Sequence, residues 1–276
     1  MFCRGAKATL FEMKVAVVSD IHGNLPALEA VLAEIDREDV DAIVNAGDTL
    51  SGPLLSVETA ELLEARGVPM IAGNHERQVL EQPIERMGES DACTARLIGP
   101  RHRAWLALAP KTRWVGDELF VCHGTPSSDL EYLLETVVPG FGIDGSPGIR
   151  AATHDEIVQR LGQGEHTRRA RVIVCGHSHV ARVASVASVA SPDGGHAITI
   201  VNPGSVGLPG YDDDHGHMHI VEAGSPHARW ALLERTPRGW SAQLRCTAYD
   251  FEPMARLAEQ RNRPDWALPL RTGRMR

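Results

Sequence analysis

The first 75 residues of this chain alternate between two kinds of apolar pattern, and that alternation limits the folds open to it. Lys14-Val-Ala-Val-Val-Ser-Asp20 is a short β-branched run, starting at Met13 or Lys14, of the kind found in strands buried on both faces. Gly23-Asn24 marks a turn. Leu25, Leu28, Leu32 and Ile35 then fall at helical spacing, with Pro26 in the first turn. Residues 41–46 read as a second strand, 56–66 as a helix and 68–73 as a third strand. This β-α-β-α-β order is the signature of an α/β domain.

Residues 76–108 read mostly as helix. Two further buried strands, 119–122 and 171–175, are separated by a Gly- and Pro-rich loop near 139–148 and a helix around 153–162. From about 180 the pattern changes to strands without helices between them: 180–187, 196–201, 217–222, 229–234 and 240–248, then a helix at 253–261. A parallel half followed by a more antiparallel half predicts two facing mixed sheets with outer helices, a four-layer α/β/β/α sandwich spanning 13–262. Residues 1–12 read as a disordered extension and 263–276 as a polar, Arg-rich tail. The Val-Ala-Ser repetition at 183–191 reads as a hairpin arm.

Composition narrows the function classes. With 43% hydrophobic residues in 276, the chain can bury a large core without disulfides. Aromatics are only 5%, too few for base-stacking platforms, and a net charge of −8 offers no basic face for duplex nucleic acid. Small nucleotides stay open, because bound metals supply local positive charge. Five cysteines without a C-x-x-C pair suit a reducing cytoplasm. No apolar run is long enough for a membrane span, and residues 1–13 lack a secretory core, so the expectation is a cytoplasmic protein without a membrane partner.

The chemistry collects where the strands stop. Strand 14–18 runs into Asp20-Ile-His22, 41–46 into Gly47-Asp48, and 68–72 into Gly73-Asn74-His75-Glu76. Strand 119–122 ends in His123-Gly124, and 171–175 in Gly176-His177-Ser178-His179. In α/β sheets ligands gather outside the carboxyl ends of strands, so these five ends are expected to converge. Imidazole with carboxylate suits Mn, Fe, Co, Ni or Zn rather than the all-oxygen shells of Ca and Mg. Asp-x-His and His-x-His each put alternate side chains on one side of an extended segment. A carboxylate between the two groups can bridge a pair of ions, and Asp48 is the candidate.

This ordered series resembles the calcineurin-like metallophosphoesterase superfamily over roughly residues 13–250, including the loop Asn202-Pro-Gly-Ser-Val-Gly207. The resemblance implies two divalent ions, with manganese the working choice. Asp20, His22, Asp48 and His179 would hold one, and Asp48, Asn74, His123 and His177 the other. It implies a metal-bridging hydroxide as nucleophile and His75 as the acid that protonates the leaving oxygen, an effect of about 10²–10⁴-fold. Phosphoprotein phosphatases of the superfamily carry Gly-Asp-x-x-Asp-Arg-Gly. Here Ser51 replaces that Asp and Gly52 the Arg, and Arg77 follows the Asn-His-Glu block instead of an Arg preceding it. The chain is closer to the compact bacterial group of phosphodiesterases and diadenosine tetraphosphatase-like proteins. A small phosphate-ester or nucleotide substrate is therefore expected. The alternatives are a phosphomonoesterase and a non-catalytic metal-binding scaffold.

Several residues have blander readings. A lone His at a strand end is more often a hydrogen-bonded structural residue than a ligand; the five ordered motifs are what favour ligation here. Glu76 reads as structural, paired with a neighbouring Arg. Gly216-His-Met-His219 repeats the Gly-His-x-His pattern but follows a polar loop, so the site is placed at 177/179; residues 210–228 read as an insertion, with 211–219 a solvated acidic loop or else a flap or accessory metal-binding loop over the site. Arg96, Arg101, His102 and Arg103 read as a solvated helix face, with substrate-phosphate binding the alternative.

Overall fold

The computed structural model describes residues 13–187 and 196–276. The expected extension at 1–12 and the end of the 183–191 repetition lie outside the described residues. Strand β1 (Met13–Val18) leads to α1 (Leu25–Ile35), β2 (Ala42–Asn45) and α2 (Ser56–Arg66). Three helices follow, α3 (Asn74–Glu81), α4 (Glu89–Leu97) and α5 (Pro100–Leu106). Next come β3 (Thr112–Val115), β4 (Leu119–Cys122), β5 (Glu135–Val137), β6 (Ile149–Ala151), α6 (His154–Leu161), α7 (Glu165–Arg169) and β7 (Val172–Val174). The last third holds β8 (Arg182–Ala187), β9 (Ala197–Asn202), β10 (Gly210–Asp213), β11 (His219–Glu222), β12 (Ala228–Thr236) and β13 (Gly239–Thr247), then α8 (Glu252–Gln260) and α9 (Pro264–Thr272).

Two mixed sheets dominate, with strand orders β13-β12-β1-β2 and β3-β4-β7-β9-β8. β1 pairs parallel with β2 and antiparallel with β12, so early and late segments share one sheet. The period-2 alternation of side chains sorts each strand's residues into layers. Val15 and Val17 of β1 meet Leu119, Val121, Val172 and Val174 between the sheets. Ala16 and Val18 face the other way, onto Leu28, Val31 and Leu32 of α1. In the second sheet Phe120, Cys122 and Ile173 point outward onto Ile157 and Leu161 of α6. This is the expected α/β/β/α sandwich. Burying each such Val, Leu or Ile contributes about 1.5–3 kcal/mol, so the sheet interface fixes the register on which the site depends.

Two segments differ from their sequence reading. The third strand expected at 68–73 is only an isolated parallel bridge between Asn45 and Met70. Pro69 accepts from Asn45 N but has no N–H to donate, which keeps this edge segment from forming a full ladder. The expected polar tail at 263–276 is largely the helix α9, with Pro264 in its first turn. Trp266, Ala267 and Leu270 pack against Leu54, Leu208, Met254 and Ala258. Its charges mislead because they are satisfied locally: Arg271 bonds Glu252 at 2.9 Å and Glu259 at 2.5 Å.

Candidate metal centre

The loops after β1, β2 and β4, the start of α3 and the loop after β7 bring all seven expected ligands together. Two compact groups result, Asp20–His22–His179 and Asp48–His123–His177, with donor atoms in each within 4.8 Å of one another. Asn74 joins the second group through Oδ1, 3.1 Å from His123 Nε2. All seven are buried.

Backbone shape as well as side-chain type defines these loops. Asp20, His22, Asp48, His177 and His179 all lie in the left-handed region, with φ from 52° to 65°. They are five of the eight non-glycine residues with positive φ among the described residues. Such conformations cost on the order of 1–3 kcal/mol each and cluster at functional sites. The loops hold one another in place: Asp20 N donates to Gly47 O, His22 N to Asp48 O and Gly176 N to His123 O. The loop 202–207 braces them, Ser205 Oγ donating to Asp20 O at 2.7 Å and Asn202 Nδ2 to Gly176 O at 2.8 Å. Gly73 is required by contact, because a Cβ there would sit 2.2 Å from Asp48 Oδ1.

Each histidine has one ring nitrogen committed to a backbone carbonyl. His22 Nδ1 reaches Ser51 O (2.8 Å), His123 Nδ1 Ala46 O (2.8 Å), His179 Nδ1 Leu208 O (2.7 Å) and His177 Nε2 Leu130 O (3.2 Å). A carbonyl only accepts, so these nitrogens carry the proton and the other nitrogen of each ring is free as a ligand. Those free nitrogens converge on other acceptors. His22 Nε2 and His179 Nε2 are 3.1 Å apart, and His179 Nε2 is 3.2 Å from Asp20 Oδ1. His123 Nε2 is 2.9 Å from Asp48 Oδ2. Acceptors packed this closely need a shared cation between them, and metal–ligand bonds of about 2.0–2.2 Å suit this crowding. The residues therefore fit a pair of divalent ions.

The electrostatics agree. Burial disfavours a proton on His123, but Asp48 and Asp20 outweigh it and raise its pKa to about 9, marking a place for positive charge. Burial, with His179 nearby, lowers His22 to about 3, so that ring is neutral at physiological pH. Burial opposes ionisation of Asp48, yet the imidazoles of His123 and His75 hold its carboxyl well below the usual range. His75, second residue of α3, has its Nε2 3.9 Å from Asp48 Oδ2. Burial disfavours its charge, but Asp48 and Asp91 raise it to about 10.

Residues 13–225 match the family model for the calcineurin-like phosphoesterase superfamily domain. The chain belongs to this superfamily. Its members are metallophosphoesterases, hydrolases of phosphate ester bonds. The crystal structure of a metallophosphoesterase from Sphaerobacter thermophilus superposes over 95% of this chain and all of that one, with a TM-score of 0.64. At 22% identity that likeness speaks for the fold. A putative diadenosine tetraphosphatase is similar at 17% identity and TM-score 0.46, over 86% of this chain and 94% of its own. An uncharacterized protein of Methanocaldococcus jannaschii is 38% identical over 66 residues, 24% of this chain and 27% of its own length. No helix among the described residues is long and apolar enough to cross a membrane.

Within this superfamily frame, several side chains stand elsewhere than their motifs suggest. Ser51 occupies the position of the supporting Asp in phosphoprotein phosphatases, but an aspartate is still present in space. Asp91 of α4 places Oδ1 2.7 Å from His75 Nδ1, and Ser51 Oγ donates to the same oxygen at 2.8 Å. Asp91 is missed by motif reasoning because it lies 16 residues beyond His75, in a helix that carries no motif. Among the described residues Glu76 pairs with no arginine; its carboxylate accepts from Gly73 N, Asp48 N and Thr49 N at 2.8–2.9 Å, tying two candidate ligand loops together. The cluster at 96–103 does not line the cavity over the site. Arg101 pairs with Glu64 and Arg103 donates to Val79 O. Neither His217 nor His219 joins a ligand group among the described residues. His219 is buried and bonded to Tyr132 Oη at 3.0 Å. Its hairpin β10–β11 reaches the site through Tyr211, whose hydroxyl donates to His177 O at 3.1 Å.

Proposed function

We propose that this chain hydrolyses nucleotide-type phosphate esters, either phosphodiesters or dinucleoside polyphosphates, with two divalent transition metals and manganese as the working choice. Asp20, His22, Asp48 and His179 would hold one ion; Asp48, Asn74, His123 and His177 would hold the other. Bound there, the pair supplies Lewis acidity and an activated water for in-line displacement at phosphorus. The observation that carries this reading is the convergence of two buried acceptor clusters beside a single histidine poised by an aspartate.

The protein's own groups do the rest. Asp91 receives the Nδ1 proton of His75 and fixes the ring, so Nε2 faces the cavity and can give its proton to the departing oxygen. The N-terminus of α3 holds Asp48 in place, with His75 N donating to Oδ1 at 3.1 Å. Trp266 and Tyr211 wall a cavity of about 370 Å³, within the range of small-molecule sites. Those walls favour a small ester over a phosphoprotein segment. Hydrolysis of small phosphomonoesters is the second reading, favoured by the presence of the Asp91–His75 pair.

The test is a hydrolysis panel in manganese with a monoester, a bis-ester and diadenosine tetraphosphate. Preference for one by about 100-fold, some 2.7 kcal/mol in the transition state, chooses between the classes. His75→Ala should lower kcat by about 10²–10⁴-fold with metal content retained, and Asp48→Ala should lose both metal and turnover. Undiminished metal-dependent turnover in either variant would rule the assignment out. A wild-type protein that binds manganese yet cleaves no ester of the panel would instead point to the scaffold.

A further inference from the structure

The cavity over the site is completed by a part of the chain that the family model does not cover. That model ends at residue 225, whereas Arg263, Asp265 and Trp266 belong to the segment that opens α9 and line the same cavity as His22, Asp48 and His75. Among the described residues lining it, Arg263 is the only arginine or lysine. Its side chain is 13% exposed and firmly held. Nε and Nη2 donate to the Asp265 carboxylate at 3.0 and 2.6 Å, Nη1 donates to Ser90 Oγ at 3.2 Å, and Glu89 lies 3.5 Å from Nε. These bonds leave one N–H on each terminal nitrogen. The guanidinium lies 5.6 Å from the centroid of Trp266, whose ring is in turn 5.9 Å from that of His22. Arg263 therefore stands one ring beyond His22, on a wall of the cavity that the clustered ligands also line.

We propose that Arg263 binds a second phosphate group of the substrate, beyond the scissile one, which makes esters containing a diphosphate or polyphosphate the preferred class. This rests on the reading of the site as a phosphate-ester hydrolase. A planar fork matches phosphate oxygens in a way no other group on these walls can. Asp265 offsets part of the charge but fixes the fork before substrate arrives, so recognition comes from donor geometry and little side-chain entropy is lost on binding.

The experiment compares affinity for methylenediphosphonate and methylphosphonate by calorimetry in manganese-saturated buffer, using wild type, Arg263→Gln, Arg263→Lys and the distant control Arg101→Gln. Arg263→Gln should weaken the diphosphonate at least about tenfold more than the monophosphonate. Arg263→Lys, which keeps charge without the fork, should fall between, and Arg101→Gln should match wild type. The kcat/KM ratio of diadenosine tetraphosphate to bis(4-nitrophenyl) phosphate should drop in parallel. Equal weakening of both phosphonates, or of neither, in a variant that melts like wild type overturns the proposal. If Arg263→Gln melts early, Arg263→Lys decides by the same comparison. A wild-type protein that cleaves no ester defeats the hydrolase reading alone, since the phosphonate affinities still decide whether Arg263 is a phosphate ligand.

Discussion

His75 Nδ1 stands 2.7 Å from Asp91 Oδ1, and the second proton on that oxygen comes from Ser51 Oγ at 2.8 Å. An acidic support for the histidine is thus supplied by α4 and tied back to the loop after β2 through Ser51. Asp91→Asn should keep the shape of the pair yet lower kcat by about 10–100-fold, with KM and metal content little changed. Ser51→Ala should produce a smaller loss in the same direction. Steady-state kinetics on metal-replete protein measures both. Wild-type kcat in Asp91→Asn would show that the contact only packs the helix.

The facing nitrogens of His22 and His179 make the fold sensitive to cation removal. Chelation should lower the melting temperature, and manganese at 100 times its dissociation constant should return about 2.7 kcal/mol of stability. His179→Ala should shrink that metal-induced shift. Thermal melts across a manganese titration are the measurement, and a melting temperature indifferent to metal would contradict the convergence argument.

Gly52 and Trp266 are matched by shape. Gly52 has φ +140°, and a Cβ there would lie 2.3 Å from Trp266 Cη2. Gly52→Ala should therefore destabilise by about 1–3 kcal/mol through overpacking, with a further backbone penalty. In the double variant with Trp266→Ala the steric part should disappear and the backbone part remain. Chemical denaturation of both variants and of Trp266→Ala alone separates the two contributions.

Acid stability should carry the mark of Glu118, which joins the sheets at their far end. It accepts from Arg235 at 2.6 and 3.0 Å and from Trp240 Nε1 at 2.8 Å, and the hydrogen bonds from Arg235 lower its pKa to about 2. A carboxyl lowered on folding stabilises above its unfolded value of 4.5 and loses that contribution as pH falls through about 2. The group is part-exposed, so the effect is screened to about 1 kcal/mol or less. Glu118→Gln should melt earlier than wild type at pH 6, with the difference closing as pH falls from 4.5 toward 2. Melting curves against pH check this, and a gap that persists at pH 2 would mean packing, not charge.

Parts of the chain whose role follows from local pattern were legible in the sequence. Asp20, His22 and Asp48 announce themselves because each ends a β-branched run, and a strand end is a defined place in an α/β fold. The continuous apolar run of β1 likewise foretells a strand buried on both faces, though not which of Val15 and Ala16 faces the second sheet. Asp91, Arg263 and Trp266 were not legible, since they act across 16 to more than 200 residues and sit on helices, or just before one, whose periodicity says only which face is apolar. Pro69 misled differently: the apolar run at 68–73 is strand-like, but one missing N–H leaves an edge segment with a single bridge.

The left-handed backbone at Asp20, His22, Asp48, His177 and His179 narrows the alphabet available at those positions. Aspartate, asparagine, histidine and glycine accept that conformation readily, whereas valine, isoleucine and threonine do not. A descendant that stopped using metals would meet least resistance by passing through asparagine or glycine there. Its loops would keep their curl, and the outline of the lost centre would survive in dihedral angles after the donors themselves had gone.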